Sequence, residues 1–426
     1  MRDVSNVREM QSYVRKVAAG RESLWRHRPP LLNHLDVELT ERCNNRCVHC
    51  YISRPADDRA AAAGELDTAT WRRILEEAAG LGCLTVRFTG GEPLLRDDFE
   101  ELYLFARRLG LRVILATNAT RMTARLASLL ARIPPRERIE VSIYGLTRRT
   151  YEAVSRVPGS FAASQRGLRL LQKHRVPLTI KGALLPANRA DFGRFHDWAV
   201  EVSGDPDAGA SITSLYLRGR RDGPLRNARL RRLRLAPEWL VRFEAAERAP
   251  FLPETRDFLL RRAAVAGARI FACGAGDGSA AVDSHGTLQM CLLLRHPETV
   301  YDLRQGTVRD ALKNVFPKLR ERRSADAEYL RRCGRCFLQA LCDQCPAMAW
   351  MEHGTLDTPV EHLCESAHAL ARALGVVGAR EKAWEVINWK DRLCGAPARR
   401  RAQHTSAGRS HITGRRSVGK KKERVR

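Results

Sequence analysis

Hydrophobic residues in the first half of the chain follow two alternating periods. The segment Leu35–Leu39 alternates apolar and polar residues, as a strand does, and segments of helical period then alternate with further strand-like ones. The other predicted strands are Thr85–Thr89, Arg112–Thr117, Arg138–Ile143, Leu178–Leu185 and Ser211–Leu217. The predicted helices between them are Asp67–Ala79, Asp97–Leu109, Thr123–Ala131, Ser160–His174 and Ala190–Val202. Six βα units are too few for a closed eight-stranded barrel, so we predict an α/β fold with a partial (β/α)6 TIM-like barrel.

The strand–helix rhythm ends at an arginine-rich segment, Arg218–Arg234, and the composition then changes. Seven cysteines follow between Cys273 and Cys364, and a last helical stretch is predicted from about Leu374 toward Trp389. The predicted domains are an N-terminal extension with a short helix (1–34), the barrel (35–235), a helical bridge (236–270), a cysteine-rich domain (271–375), and a C-terminal helix with a basic disordered tail (376–426).

Composition narrows the class of protein. Hydrophobic residues make up 44% of the 426 positions, which is enough for a large core and excludes a wholly disordered chain. We find no apolar run of membrane-spanning length and no apolar signal core near the N-terminus, so a cytoplasmic protein is predicted. In a reducing compartment the twelve cysteines are better explained as metal ligands than as disulfides.

The net charge of +26 is concentrated in two places. The tail Arg399–Arg426 carries eleven Lys and Arg against one acid, and Arg218–Arg234 carries eight Arg against one acid. Because the excess is local, we predict solvated segments and do not expect a nucleic-acid-binding surface. Arg218–Arg234 has an alternative role, in which it grips an acidic peptide near the site.

A cysteine triplet follows the first predicted strand. Cys43, Cys47 and Cys50 have the spacing C-x3-C-x2-C, and Gly90-Gly91-Glu92-Pro93 follows the second strand. Three thiolates would leave one iron of a four-iron cluster free to chelate an amine and a carboxylate. The alternative, a structural zinc site, needs a fourth ligand, and His49 is awkwardly placed to supply it.

These motifs resemble those of the radical S-adenosylmethionine (radical SAM) enzymes. The resemblance covers residues 35–217 and implies a [4Fe–4S] cluster and SAM as cofactors. It further implies reductive cleavage of SAM to a 5′-deoxyadenosyl radical that abstracts hydrogen from the substrate. It assigns Cys43, Cys47 and Cys50 to the cluster, Tyr51 to the adenine, Gly90, Gly91, Glu92 and Pro93 to the methionine end, and Asn118 and Ser142 to further cofactor contacts.

The seven C-terminal cysteines resemble the SPASM extension of that family, which holds two auxiliary [4Fe–4S] clusters. Taken alone, their paired C-x2-C elements would also suit zinc. The resemblance assigns Cys333, Cys336, Cys342 and Cys364 to an outer cluster, and Cys273, Cys291 and Cys345 to an inner one. Two residues separate Cys342 from Cys345 where the family pattern has three, and the inner cluster lacks an obvious fourth ligand.

The resemblance to enzymes with this extension implies that the protein is a maturase. It would crosslink, oxidise or decarboxylate a ribosomally made peptide or protein side chain. The alternative is an enzyme acting on a small cofactor precursor of porphyrin or quinone type. Leu292 stands where the sulfatase-maturing members carry an acid, so that activity is disfavoured. We also expect an external flavodoxin- or ferredoxin-type electron donor and a leader-binding module that is absent or supplied by a separate protein.

Overall fold

A mixed sheet organises the protein. The computed structural model describes residues 31–52, 54–204, 211–213, 224–248, 250–342 and 344–395, so the predicted N-terminal helix and basic tail lie outside the described residues. The first six strands of this sheet are β1 (Leu32–Thr40), β2 (Thr85–Gly90), β3 (Arg112–Thr117), β4 (Arg136–Ser142), β5 (Leu178–Ala183) and β6 (Ser211–Thr213), and the short strands Arg42–Cys43 and Arg54–Pro55 form a separate pair. They pair in parallel in chain order, and among the described strands β6 pairs only with β5. The predicted open barrel is confirmed.

The C-terminal region adds three more strands to this sheet. They are β7 (Gly278–Val282), β8 (Thr287–Gln289) and β9 (Val300–Asp302). β7 pairs in parallel with the free edge of β1, and β8 and β9 continue the sheet antiparallel. The sheet therefore continues past residue 271, where the sequence predicts a domain boundary, and brings the C-terminal cysteines beside the barrel.

Helices cover the barrel and build most of the C-terminal region. Those of the barrel and the bridge are α1 (Arg59–Gly64), α2 (Thr68–Gly80), α3 (Phe99–Arg108), α4 (Ala124–Arg132), α5 (Arg148–Ser155), α6 (Ser160–Lys173), α7 (Phe195–Ser203), α8 (Pro224–Arg232), α9 (Pro237–Glu247) and α10 (Phe251–Arg262). The remaining ones are α11 (Val308–Asp310), α12 (Phe316–Arg320), α13 (Ala327–Arg331), α14 (Gln339–Cys342), α15 (Pro346–His353), α16 (Glu361–Ala373) and α17 (Trp389–Cys394). No described helix has the length and apolarity that a membrane crossing requires.

Between β1 and β5, two helices escape the sequence prediction, and near the C-terminal end one predicted helix is wrong. In α1 a run of alanines has no apolar period, and the Asp58 side chain caps it by accepting from the amide of Ala61. In α5 the start is set by the capping box of Thr147 and Thr150. The stretch from Leu374 to Trp389 is not a continuous helix, because α16 ends at Ala373 and only a short 3-10 turn precedes α17.

Alternation along β1 separates the core from the barrel interior. Leu35, Val37 and Leu39 are fully buried in the main hydrophobic cluster with the apolar faces of the helices. Between them, Asp36 and Glu38 form ion pairs with arginines from other strands and loops. Polar side chains on alternate positions of a strand therefore face the space in which the site is built.

A histidine links the C-terminal hairpin to the loop that follows β1. His285 Nε2 lies 3.7 Å from Glu41 Oε2, and its Nδ1 lies 2.9 Å from the carbonyl oxygen of Gly64. The Glu41 carboxylate raises the pKa of His285 to about 9. A raised histidine pKa adds stability that is complete below about pH 6.5 and is lost as the pH rises through 9.

His285→Gln tests this link because glutamine keeps a donor for Gly64 but loses the charge. We expect a lower urea midpoint than wild type at pH 6.5, with the difference disappearing at pH 10. Equal differences at the two pH values would contradict an ionic contribution.

Candidate active site

A cavity of about 300 Å³ opens at the carboxyl ends of the barrel strands. The predicted residues that line it are Cys43, Cys47, Cys50, Tyr51, Gly90, Gly91, Asn118 and Ser142. The other two predicted barrel residues, Glu92 and Pro93, are buried behind it. The structure thus brings residues from the ends of β1 to β4 to one place, as parallel βα units predict.

Backbone contacts hold the cysteine loop. The amides of Arg46 and Val48 donate to the carbonyl oxygens of Ser155 and Val154 at the end of α5, both at 2.9 Å. Within the loop, the amide of Cys50 donates to the carbonyl of Cys47 at 3.1 Å. The loop is therefore fixed against the end of α5 and by an internal turn, and its three cysteines line the same cavity.

The three thiols are chemically suited to an iron–sulfur cluster. Burial, followed by the charge of Glu92, raises the pKa of Cys43 to about 12, and burial together with Cys50 and Cys43 raises that of Cys47 well above its ordinary value. Buried thiolates that repel one another are stable only beside a compensating cation, which a bound iron cluster would supply. His49 Nδ1 is also buried at this cavity and has no hydrogen-bond partner among the described residues, although its ring packs edge-on against Tyr144.

Gly90 and Gly91 are required by close approach of two backbone segments. The amide of Gly91 donates to the carbonyl of Thr40 at 2.7 Å, and that of Glu92 donates to the carbonyl of Arg42 at 2.9 Å. A Cβ on either glycine would overlap one of these carbonyl oxygens, and Gly90 also has a φ of +115°. The glycines therefore join the end of β2 to the cysteine loop, in addition to bordering the cavity.

The carboxylate of Glu92 ties β2 to β3. It accepts hydrogen bonds from the amide of Asn118 at 2.8 Å, the hydroxyl of Thr117 at 2.7 Å and the amide of Leu94 at 3.1 Å. Burial raises the pKa of Glu92 to about 7. Since the side chain is fully buried and engaged by these donors, backbone atoms of Gly90 and Gly91 are left facing the cavity.

Asn118 reaches the cysteine loop directly. Its Nδ2 donates to Asn44 Oδ1 at 3.0 Å and lies 3.8 Å from Cys43 Sγ, and its Oδ1 accepts from the hydroxyl of Thr120 at 2.6 Å. Asn44 donates to the same hydroxyl at 2.7 Å. This closed set of hydrogen bonds fixes the first cysteine relative to the end of β3.

Tyr51 connects the cysteine loop to the C-terminal region. Its hydroxyl donates to Glu38 Oε1 at 3.1 Å, and the other oxygen of Glu38 pairs with Arg295. Arg295 also donates to Asp283 at 3.0 Å. Leu292, three residues before Arg295, lines the same cavity. The segment that follows Cys291 is therefore part of the site.

A chain of charges on the cavity wall was missed by the sequence reasoning. Arg87 pairs with Asp36 and Glu140, both at 3.3 Å, and Lys181 pairs with Glu140 at 2.9 Å. Arg87, Glu140 and Lys181 all line the cavity. The sequence did contain a signal for these residues, because they are charged and lie in the middle of strands whose outer face is covered by helices. Only the barrel interior could accept such side chains.

Helix α8 lies within the arginine-rich segment and contacts the cysteine loop. Arg226 donates to the carbonyls of Tyr51 and Ile52 at 3.0 and 2.8 Å. Arg229, Arg231 and Arg232 are not buried, as predicted for a solvated segment. Residues 218–223 lie outside the described residues.

Arg234, just beyond α8, forms a buried ion pair with Glu352 of α15 at 2.5 Å. Both side chains are less than one-tenth exposed. Glu352→Ala would leave a buried guanidinium without its partner, so we expect a loss of about 3–5 kcal/mol in the free energy of unfolding, measured by urea denaturation.

The matched control is Glu101→Ala, which breaks an exposed pair with Arg72. It should lose no more than about 1 kcal/mol. Similar losses in the two variants would contradict a special role for the buried pair.

The C-terminal cysteines form two separate groups. Cys333, Cys336, Cys342 and Cys364 line one cavity together with Arg332, His368 and Trp384. Burial raises the pKa of Cys345 to about 12, and the nearby charges of Cys291 and Cys273 raise it in the same direction. These are the two sets that the sequence assigns to the outer and inner clusters. Within the described part of the chain, no three Cys, His, Asp or Glu side chains converge as a single-ion site.

The remaining two cysteines stand apart from these groups. Cys83 is buried and donates to the carbonyl of Thr85 at 3.3 Å, and Cys394 is exposed at the end of α17. Neither lines a cavity described above, as expected of ordinary thiols.

An open parallel barrel with three thiols and a glycine turn at its mouth is the arrangement that the sequence predicts for a SAM-cleaving iron–sulfur enzyme. Residues 37–199 match the Radical SAM superfamily. The chain therefore contains a radical SAM domain at residues 37–199, and the cofactors of that superfamily are a [4Fe–4S] cluster and SAM.

Curated relatives match to different extents. AdoMet-dependent heme synthase of Methanosarcina barkeri is 28% identical over 340 residues, which cover 74% of this chain and 92% of that protein. PqqA peptide cyclase of Gluconobacter oxydans is 38% identical over 152 residues, covering 36% of this chain and 41% of the cyclase. The chain thus spans less than half of that cyclase.

Solved structures share the fold across most of the chain. Streptococcus suis SuiB bound to S-adenosylmethionine has a TM-score of 0.55 at 17% identity and covers 84% of this chain and 86% of its own. Native anSMEcpe with bound AdoMet has a TM-score of 0.53 at 15% identity, covering 80% of this chain and 96% of its own. The predicted fold class, a partial barrel followed by a SPASM-type cysteine-rich region, is confirmed.

Proposed function

We propose that this radical SAM enzyme modifies a side chain of a ribosomally made peptide or protein by crosslinking, oxidation or decarboxylation. The observation that carries the proposal is the meeting of Cys43, Cys47 and Cys50 with Gly90 and Gly91 at one cavity. When bound there, the cluster and SAM supply a radical able to abstract hydrogen from an unactivated carbon.

Residues of this chain would hold the cluster and orient SAM beside it. Cys43, Cys47 and Cys50 would bind the cluster, while Asn118 fixes the first of them through Asn44. Gly90 and Gly91 would present backbone atoms to the methionine end, with Glu92 and Pro93 supporting the turn from behind.

Cofactor contacts on the other side of the cavity are assigned in the same way. Ser142 lines the cavity at the end of β4, where a hydroxyl can bind the cofactor. Tyr51, held by Glu38, would lie against the adenine. Leu292 places an apolar side chain at the cavity, which supports a reaction other than sulfatase maturation.

Similarity to the PqqA peptide cyclases supports a peptide substrate. A second candidate is an enzyme that acts on a cofactor precursor of porphyrin or quinone type, and the similarity to a heme synthase is the observation behind it. The solvent-facing arginines of α8, beside the cysteine loop, provide a basic surface that suits an acidic peptide.

The seven C-terminal cysteines support two auxiliary clusters. Cys333, Cys336, Cys342 and Cys364 would hold the outer one, and Cys273, Cys291 and Cys345 the inner one. A flavodoxin- or ferredoxin-type donor would supply electrons in the cytoplasm, and a separate protein would bind the leader of the peptide. We also propose domain limits at residues 34, 235, 270 and 375, with one sheet shared across the limit at 270.

The test compares substrates with the reconstituted enzyme under anaerobic reduction. Candidate precursor peptides, chosen from short reading frames beside the gene, and an iron-coproporphyrin are each added with SAM. We expect a peptide to raise 5′-deoxyadenosine formation and to change in mass, while the porphyrin does neither. The reverse result would favour the second candidate, and no 5′-deoxyadenosine with any addition would refute SAM cleavage.

A further inference from the structure

The outer cysteine cavity has a cationic wall. Arg332 Nη2 lies 3.5 Å from Cys364 Sγ, and the two oxygens of Glu361 accept from the same guanidinium at 2.6 and 3.0 Å. The guanidinium carbon stands 4.9 Å from the centre of the Trp384 ring. With 12% of its side chain exposed, Arg332 holds a permanent charge in a fixed position against this sulfur.

The neighbouring histidine does not supply that charge. His368 Nε2 accepts from the amide of Ala383 at 3.0 Å, so the proton sits on Nδ1, which lies 2.8 Å from the carbonyl oxygen of Cys364. The positive charge in contact with Cys364 therefore comes from Arg332.

Cluster potentials respond to charge and to hydrogen bonds at the ligand sulfurs. A reduced cluster carries one more negative charge than an oxidised one, so a nearby cation stabilises the reduced form. We propose that Arg332 is a positioning residue that raises the reduction potential of the outer auxiliary cluster. The inference rests on the proposed function, because it requires a cluster on Cys333, Cys336, Cys342 and Cys364.

Glu361 makes the effect of removing Arg332 larger. Its carboxylate partly offsets the guanidinium charge, and without Arg332 it would lose its ion-pair partner near Cys364. Both changes disfavour the added electron, so they shift the potential in the same direction. Removing the Glu361 charge alone should shift it in the opposite direction.

The experiment is an EPR-monitored redox titration of the fully loaded enzyme and its variants. The signal of the outer cluster is the one that Cys336→Ala removes. For Arg332→Gln we expect a shift to more negative potential equivalent to about tenfold in the reduction equilibrium, which is about 59 mV for one electron. Arg332→Lys, which keeps the charge, should stay close to wild type.

Arg331→Gln is the matched control. Arg331 is adjacent in sequence but 56% exposed and paired with Glu328, and it does not line the cavity. It should leave the potential unchanged. Equal potentials in Arg332→Gln and Arg331→Gln, with the cluster retained, would overturn the inference, as would loss of the cluster in both Arg332 variants.

Glu361→Gln provides a second measurement of the reduction potential if Arg332→Gln does not bind the outer cluster. It is expected to raise the potential, and an unchanged value would overturn the inference. Iron content separates this result from failure of the proposed function. A wild-type enzyme without the outer cluster refutes the auxiliary site itself, whereas a loaded cluster with an unmoved potential refutes only the role of Arg332.

Discussion

Replacing Cys43, Cys47 and Cys50 together by alanine is expected to abolish the formation of 5′-deoxyadenosine from SAM. Their thiols face one cavity beside Gly90 and Gly91, and cysteine thiolates are the ligands of four-iron clusters. With three clusters in the wild type, iron should fall from about twelve to about eight per chain. Iron and sulfide are measured after anaerobic reconstitution, with the nucleoside assayed by chromatography.

Cys394→Ala is the control for removal of a thiol. Cys394 is exposed and belongs to neither cysteine group, so iron and SAM cleavage should match the wild type. Retained 5′-deoxyadenosine formation in the triple variant would contradict the assignment of the three ligands. About eight iron in the wild type would mean that the C-terminal cysteines hold one cluster, and zinc with little iron would refute the proposed chemistry.

Local patterns were enough to predict the barrel. Strand β3 begins and ends where the sequence predicts, because its apolar residues are bounded by turn residues and its neighbours have a clear helical period. The mouth of the barrel followed from the same pattern, since the cysteine triplet and the Gly90–Gly91 turn come directly after β1 and β2. Parallel strands bring such loops together without any further information.

Contacts between distant segments could not be predicted in this way. The parallel pairing of β1 with β7 joins strands that lie far apart along the chain, and no local pattern specifies which edge a late strand selects. The sequence does not distinguish Arg226 from the other arginines of its basic segment. In the structure it donates hydrogen bonds to two carbonyl oxygens of the cysteine loop. Its role depends on where α8 packs.

Glu92 shows how a correct motif can leave a side-chain role open. The motif placed it at the methionine end, where a carboxylate could bind an ammonium group. In the folded chain its oxygens accept from Leu94, Thr117 and Asn118, so it holds two strand ends together. Those donors become visible only when β2 and β3 are side by side.

Gly91→Ala is expected to reduce SAM cleavage about 10²-fold, the effect of displacing a reacting group by roughly 1 Å. A methyl group at this position would overlap the backbone carbonyl of Arg42, which cannot move without shifting Cys43. The overlap should also lower the free energy of unfolding by about 1–3 kcal/mol. The rate of 5′-deoxyadenosine formation and the urea midpoint report the two effects separately.

Gly80→Ala is the matched control because a Cβ at the end of α2 would meet no atom within 4 Å. In a helix the added methyl group should leave activity unchanged and stability equal or slightly higher. If Gly91→Ala cleaved SAM at the rate of Gly80→Ala, the close approach of the glycine turn to the cysteine loop would not matter for catalysis. A loss confined to Gly91→Ala, with iron content retained, would instead show that this backbone contact aligns SAM with the cluster.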